Sequence, residues 1–248
     1  MTIYDIGPVP VTLTEHDRTR TSLLLHGGAG PASVAAFGEF LAENTHTRTI
    51  IPTHPGFNGT VRPDAVATIR DLADLYAGLL DRLEAREVTV IGNSIGGWIA
   101  AEMALLGSPR VRAAVLIDAV GAEVAGHPVA DVSTLDPAEL RKLSFHDPDR
   151  FAPRAGSPAP DPKLVATNMA ALAQYGGPAM ADPTLLPRLA AATVPVHVIW
   201  GSADRIVTPD YGRAYAAAIP GARFTLLERA GHLPQIEAPQ ALLEAISG

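Results

Sequence analysis

The stretch Val90-Ile91-Gly92-Asn93-Ser94-Ile95-Gly96-Gly97 decides how this chain folds. It sets a serine between two glycines where an apolar, β-branched run ends and a segment of helical composition, Trp98-Ile99-Ala100-Ala101-Glu102-Met103-Ala104-Leu105, begins. A strand that turns straight into a helix brings its backbone against the first helical turn. Side chains two before and two after the serine then have no room. Gly92 and Gly96 meet that demand, so the stretch reads as a nucleophile elbow with Ser94 at its tip.

Working outward, apolar runs bounded by turn residues predict strands at 2–6, 9–14, 22–25, 49–51, 88–91, 113–117, 196–200 and 223–227. Helical patterns fall at 32–43, 69–83, 95–106, 211–218 and 239–246. After an initial hairpin the two kinds alternate, which predicts an α/β fold: one mostly parallel sheet with helices on both faces. No linker, charge block or repeat divides the 248 residues, so a single domain is expected. Its core is 1–121 and 188–248. The proline- and alanine-rich segment 122–187 is read as a short lid of helix and loop, with a helix at 163–174 and an extended loop at 147–162. Leu164, Met169, Leu172 and Tyr175 are expected as its apolar ceiling, and Trp98 as core under the elbow.

The formal charge is −7 with no Lys/Arg cluster, which argues against nucleic acid or an anionic membrane surface as partner. A small-molecule substrate is expected instead, with the chain a monomer or homodimer. There is no cysteine, hence no disulfide and no thiol nucleophile. The opening Met1-Thr2-Ile3-Tyr4-Asp5 lacks a basic region before an apolar run, and no stretch is long enough to span a bilayer, so a cytoplasmic protein is expected.

In such a sheet the loops after the strands' carboxyl ends form the site. A serine hydroxyl needs a base to take its proton, and His232, after the last strand and a glycine, is the expected base. The imidazole needs an anion on its other nitrogen. Asp204, after the strand ending at Trp200, is preferred over Asp118, which ends the preceding strand. The oxyanion formed on attack calls for two amide donors: Ile95, next to the nucleophile, and Gly28 in His26-Gly27-Gly28, with Ala29 the near alternative. That glycine cluster matches no nucleotide-binding pattern. His26 reads as structural. His54 reads either as a pocket wall touching substrate or as a hydrogen-bonding partner of the Pro55-Gly56 turn, and Phe57 and Asn93 are further candidates for substrate contact. The histidines form no metal pattern, so no metal or other cofactor is expected.

These pieces, together with Pro55-Gly56-Phe57-Asn58-Gly59, Gly201-Ser202-Ala203-Asp204-Arg205-Ile206-Val207-Thr208-Pro209 and Ala230-Gly231-His232-Leu233-Pro234-Gln235-Ile236-Glu237, resemble the α/β-hydrolase superfamily over nearly all the chain except the lid. The resemblance implies an eight-stranded sheet whose second strand is antiparallel, a Ser-Asp-His triad in that chain order, and a cap after the sixth strand. Serine at the elbow argues against epoxide hydrolases and haloalkane dehalogenases, whose nucleophile is typically an aspartate. The Gly92-Asn93-Ser94 elbow with His26-Gly27-Gly28-Ala29-Gly30-Pro31 resembles meta-cleavage product hydrolases, but the lid cations Arg141, Lys142, Arg150 and Arg154 follow no pattern that matches them.

The expected function is therefore a serine hydrolase of a small ester, thioester or lactone. The alternatives are carbon-carbon cleavage of a diketo acid by the same residues, a low-turnover small-molecule receptor, or a non-hydrolytic biosynthetic role.

Overall fold

The computed structural model of the protein describes residues 2–16, 20–153, 156 and 161–248. In chain order its elements are β1 (Thr2–Ile6), β2 (Val9–His16), β3 (Arg20–Leu25), α1 (Ala32–Thr45), β4 (Thr47–Pro52), α2 (Ile69–Arg82), β5 (Val88–Asn93), α3 (Ile95–Leu105) and β6 (Val111–Ile117). There follow β7 (Gly121–Ala122), α4 (Pro137–Ser144), α5 (Pro162–Gly176), β8 (Ala181–Asp182), α6 (Leu185–Leu189), β9 (Val196–Gly201), α7 (Pro209–Ala218), β10 (Arg223–Leu227), α8 (Pro234–Glu237) and α9 (Pro239–Ser247).

Eight strands form one sheet in the order β1-β2-β4-β3-β5-β6-β9-β10. Strand β2 is antiparallel to both its neighbours, and the others pair in parallel from β4 to β10. This is the α/β-hydrolase fold. Alternate residues of the central strands serve opposite faces, as the two-residue period of a strand requires. Leu23, Leu25, Val90, Leu116 and Val198 pack with α2, α3, α6 and α7. Leu24, Ile91, Val115, Ile117 and Ile199 pack with Val34, Phe37 and Leu41 of α1 and Leu242 and Leu243 of α9. Burial on both faces is why these strands read as predominantly apolar runs.

Helix starts follow side-chain chemistry. Thr68 and Asp71 cap α2 reciprocally, Thr68 Oγ1 accepting from the Asp71 amide at 3.1 Å and Asp71 Oδ2 from the Thr68 amide at 2.8 Å. Helix α4 was not expected, although Asp136-Pro137-Ala138-Glu139 carries the same signal with proline at the first helical position; Asp136 Oδ1 accepts from the amides of Ala138 and Glu139 at 2.7 and 2.8 Å. The helix expected at 163–174 is α5. The loop expected over 147–162 lies partly outside the described residues, as does Arg154. Among the described residues, no helix is long and apolar enough to cross a membrane.

One ion-pair cluster ties α3 to the chain beyond β6. Arg188 of α6 meets both oxygens of the buried Glu102 at 2.6 and 2.7 Å and reaches Asp182 of β8 at 3.0 Å. A bidentate guanidinium offsets the cost of burying that carboxylate on an otherwise apolar helix.

Candidate active site

Strand β5 ends at Asn93, and Ser94 sits at φ 58°, ψ −119°, a region that L residues avoid. Holding it there costs of the order of 1–3 kcal/mol, which the packed surroundings must supply. The glycine requirement is visible in space: a Cβ on Gly92 would stand 2.0 Å from the Gly96 carbonyl oxygen, and one on Gly96 would stand 2.3 Å from the Leu25 carbonyl oxygen. The close approach that makes the elbow possible is thus backbone against backbone.

His232 follows β10, and its Nε2 lies 2.9 Å from Ser94 Oγ. On the other side, His232 Nδ1 lies 2.8 Å from Asp204 Oδ2. Asp204 is oriented by two backbone amides at its other oxygen, Ile206 at 2.8 Å and Val207 at 3.1 Å. Three side chains from the loops after β5, β9 and β10 are so brought into one hydrogen-bonded line. Asp118, the rival acid, is absent from that line. Its Oδ1 accepts the Gly201 amide at 2.8 Å, and burial together with the neighbouring Asp204 pushes its carboxyl well above the usual carboxylate range.

The loop after β3 runs beside the elbow, close enough that a Cβ on Gly27 would be 3.1 Å from Ser94 Cβ. The amides of Gly28 and Ile95 therefore belong to the two segments that flank Ser94. Ile95 opens α3, where the first amides of a helix have no partner within it.

His26 and His54 hold this loop to the one after β4. The His54 amide donates to His26 Nε2 at 3.0 Å, so His26 carries its proton on Nδ1, which donates to the Gly27 carbonyl at 2.7 Å. His54 Nε2 donates to the His26 carbonyl at 2.9 Å, and its Nδ1 accepts from Tyr76 Oη at 2.6 Å. Burial pushes His26 down to about 4 and His54 well below 6.5, the proximity of His26 adding to the latter. In the unfolded chain both bind a proton near pH 6.5, while the folded chain refuses it, so stability is lost as pH falls from there toward 4. Asp118 acts in the opposite sense, keeping a proton that the unfolded chain has released. His197, pushed down to about 4 by burial and by Arg223, adds to the loss, so three histidines against one carboxyl leave a net loss of stability over that window. Urea midpoints at about pH 7 and pH 4.5 test the sign; a flat or rising profile toward acid contradicts it.

The structure corrects three expected substrate contacts. His54 is fully buried with both ring nitrogens engaged. Phe57 is fully buried, edge-on to both imidazoles. Asn93 is buried too, its Nδ2 donating to the His232 carbonyl at 2.9 Å and its Oδ1 accepting from Gln235 at 3.1 Å. His54 and Asn93 hold loops together because a buried polar group must find its partner inside the protein, and Phe57 packs its ring against the imidazoles.

Helix α5 lies across the loops after β3 and β4. A Cβ on Gly28 would meet Leu172 at 2.8 Å, Asn168 Oδ1 accepts the Asn58 amide at 2.7 Å, and Tyr175 Oη donates to the Pro55 carbonyl at 3.0 Å. Leu164 packs beside Gly59, while Met169 and Leu172 line a cavity of about 790 Å³ between α5 and residues 122–133. Trp98 is buried in the core, packed against Gly121. The chain after β6 is pinned near Ser94: Tyr211 bonds the Ala122 backbone, and the Val120 amide donates to the Ser94 carbonyl at 3.3 Å.

Sequence reasoning missed Glu237. Its carboxylate accepts the amides of Gly231 at 2.7 Å, His146 at 3.0 Å and Asp147 at 2.9 Å, fastening the His232 loop to the chain after α4. Nothing local marks it, since two of its three partners lie about ninety residues away.

The sequence profile of the alpha/beta hydrolase family matches residues 23–245, which includes the loops after β3, β4, β5, β9 and β10 that build this site. The chain belongs to that family. The chain is 28% identical over 200 residues to the epoxide hydrolase EphH of Mycobacterium tuberculosis, covering 71% of this chain and 92% of that protein. It is 29% identical over 244 residues to a 2-hydroxymuconate semialdehyde hydrolase of Pseudomonas putida, covering 87% and 82%. Among solved structures it is similar to Est816, described as an N-acyl homoserine lactone degrading enzyme, with a TM-score of 0.79, 21% identity and coverage of 100% and 99%.

Proposed function

We propose that this chain is a cofactor-independent serine hydrolase that cleaves a small ester, thioester or lactone through an acyl-enzyme on Ser94. The observation that carries the reading is the hydrogen-bonded line Ser94–His232–Asp204 at the elbow, with spacings of 2.9 and 2.8 Å. In it, Ser94 Oγ attacks the carbonyl carbon as His232 Nε2 takes its proton, and Asp204 holds the imidazole with Nδ1–H toward itself. The amides of Ile95 and Gly28 receive the oxyanion. His232 returns the proton to the leaving oxygen or sulfur, and water then repeats the sequence to release the acid.

A carboxyl nucleophile suits displacement at saturated carbon, whereas a serine activated by histidine suits acyl transfer, which supports the ester reading over epoxide opening. Residues 122–187 form the lid in this reading. The cavity beside α5 lies off the Ser94–His232–Asp204 line, none of these three lining it, and offers an apolar wall for an uncharged part of a substrate: Val124, Val129, Met169, Leu172 and Met180 line it, Glu123 and Asp131 are its charged residues, and among the described residues lining it there is no lysine or arginine. Arg141 turns back to the Pro137 carbonyl and Arg150 lies over Phe151. A substrate bearing a carboxylate, as a muconate does, gains no counter-charge there.

Turnover of a series of p-nitrophenyl esters, with a fluorophosphonate probe followed by intact mass, tests the proposal. The wild type is expected to hydrolyse the short esters and gain one adduct, at Ser94. A folded protein that neither turns over ester nor takes the label overturns it.

A further inference from the structure

We propose that Asp118 is a positioning residue of this site that works as a neutral carboxylic acid: its Oδ2 donates a hydrogen bond to the Asp204 carboxylate while its Oδ1 accepts from the Gly201 backbone. The inference rests on the role proposed for Asp204.

Three observations on different atoms converge. Asp118 is fully buried at the end of β6, at φ 45°, a left-handed conformation that aspartate adopts more readily than most residues. Oδ1 is satisfied by the Gly201 amide at 2.8 Å, but Oδ2 is buried and meets no N–H or O–H among the described residues. The side chain beside the Asp118 carboxyl is the carboxyl of Asp204, and the two interact directly. An ionised Asp118 would leave a charged oxygen without a donor and set two carboxylates side by side out of water, each a large cost. One proton between them removes both costs, turning the orphaned oxygen into the missing donor.

The proton belongs on Asp118 because the donors are on Asp204. Asp204 receives the amides of Ile206 and Val207 and faces His232 Nδ1, whereas Asp118 receives one amide. Hydrogen bonds donated to a carboxylate favour its charged form, so the better-served partner keeps the charge. Burial and the nearby Asp204 push the Asp118 carboxyl upward in the same sense. Asp204 is the titratable side chain that faces Asp118, and His232 stands beyond it on the far oxygen. With the fourth donor in place, Asp204 is held in one rotamer and presents a single negative charge to the imidazole.

The test combines spectroscopy with kinetics. Infrared difference spectra of wild type against Asp118→Asn at neutral pH are expected to show one protonated-carboxyl carbonyl stretch in the wild type that the variant lacks. The Ser94→Ala protein should show it too, so this arm holds even where no substrate is turned over and failure of the hydrolase reading is separately visible. In ester hydrolysis Asp118→Asn, which keeps both an acceptor for Gly201 and a donor for Asp204, is expected to stay within about threefold of wild type, with the acidic limb of its pH profile unmoved. Asp118→Val, similar in size but without either group, is expected to lose at least about thirtyfold in kcat with little change in KM, because the loss falls on the orientation of the base. Absence of the protonated-carboxyl band, or an acidic limb shifted down by about one pH unit in Asp118→Asn, shows an ionised Asp118 and overturns the proposal. Full kcat in a folded Asp118→Val protein overturns it as well.

Discussion

Ester turnover by the Ser94→Ala protein is expected to fall by about 10⁴-fold or more in kcat, with KM changed little, and His232→Ala by a comparable factor. In the proposed mechanism the Ser94 oxygen is the reacting atom and His232 Nε2, 2.9 Å away, takes its proton. Removing either one ends the same step, so the double variant is expected to be no slower than the worse single one. In the same reading, what rate survives comes from the amides proposed to hold the oxyanion, which neither change touches. Asp204→Asn separates orientation from proton transfer. Its retained oxygen still accepts the Ile206 and Val207 amides, while an NH₂ replaces the oxygen facing His232 Nδ1. The imidazole then turns to the tautomer that accepts at Nδ1 and carries its proton on Nε2, where it cannot accept one from serine. A loss of about 10⁴-fold in kcat follows for a correctly folded protein. Steady-state kinetics on one short ester decides all three, and a Ser94→Ala protein that keeps even a tenth of wild-type kcat removes Ser94 from the mechanism.

Gly92→Ala carries the largest expected effect on stability. The added methyl would stand 2.0 Å from the Gly96 carbonyl oxygen and 2.3 Å from its carbon, so β5 and the first turn of α3 have to move apart. No rotamer change relieves a clash with backbone, and the shift is felt at Ser94, already strained. A cost of about 4 kcal/mol or more is expected, at the severe end for single substitutions. For a chain of this size that lowers Tm by about 10 °C or leaves the protein insoluble. Gly28→Ala is the matched control, since its methyl meets the end of the Leu172 side chain at 2.8 Å, and Leu172 can turn away. That variant is expected to melt within a few degrees of wild type while altering substrate preference, because Leu172 lines the cavity. Equal melting temperatures for Gly92→Ala and wild type contradict the account of the elbow.

Much of the architecture was legible because its determinants are local. Burial of a central strand on both faces writes a continuous apolar run, as in Ala113 to Ile117, and the close turn at Ser94 writes glycine on either side of it. Such signals need only a few consecutive residues, so the eight strands and their order with the helices could be read directly. Helix α4 was equally legible, since the Asp136–Glu139 cap is complete within four residues, and the proline-rich composition around it hid the signal.

The side chains that meet at the site were legible only as candidates. Ser94 and His232 are 138 positions apart, and nothing in either neighbourhood states the distance between them. Tertiary structure alone decided that His54, Phe57 and Asn93 face inward, that Glu237 ties the His232 loop to the chain after α4, and that Asp118 lies beside Asp204 instead of competing with it. The physical reason is the same in each case. Periodicity and turn chemistry are properties of neighbouring residues, whereas burial, the partner of a polar atom and the protonation of a carboxyl depend on which distant segments the sheet brings to its carboxyl edge.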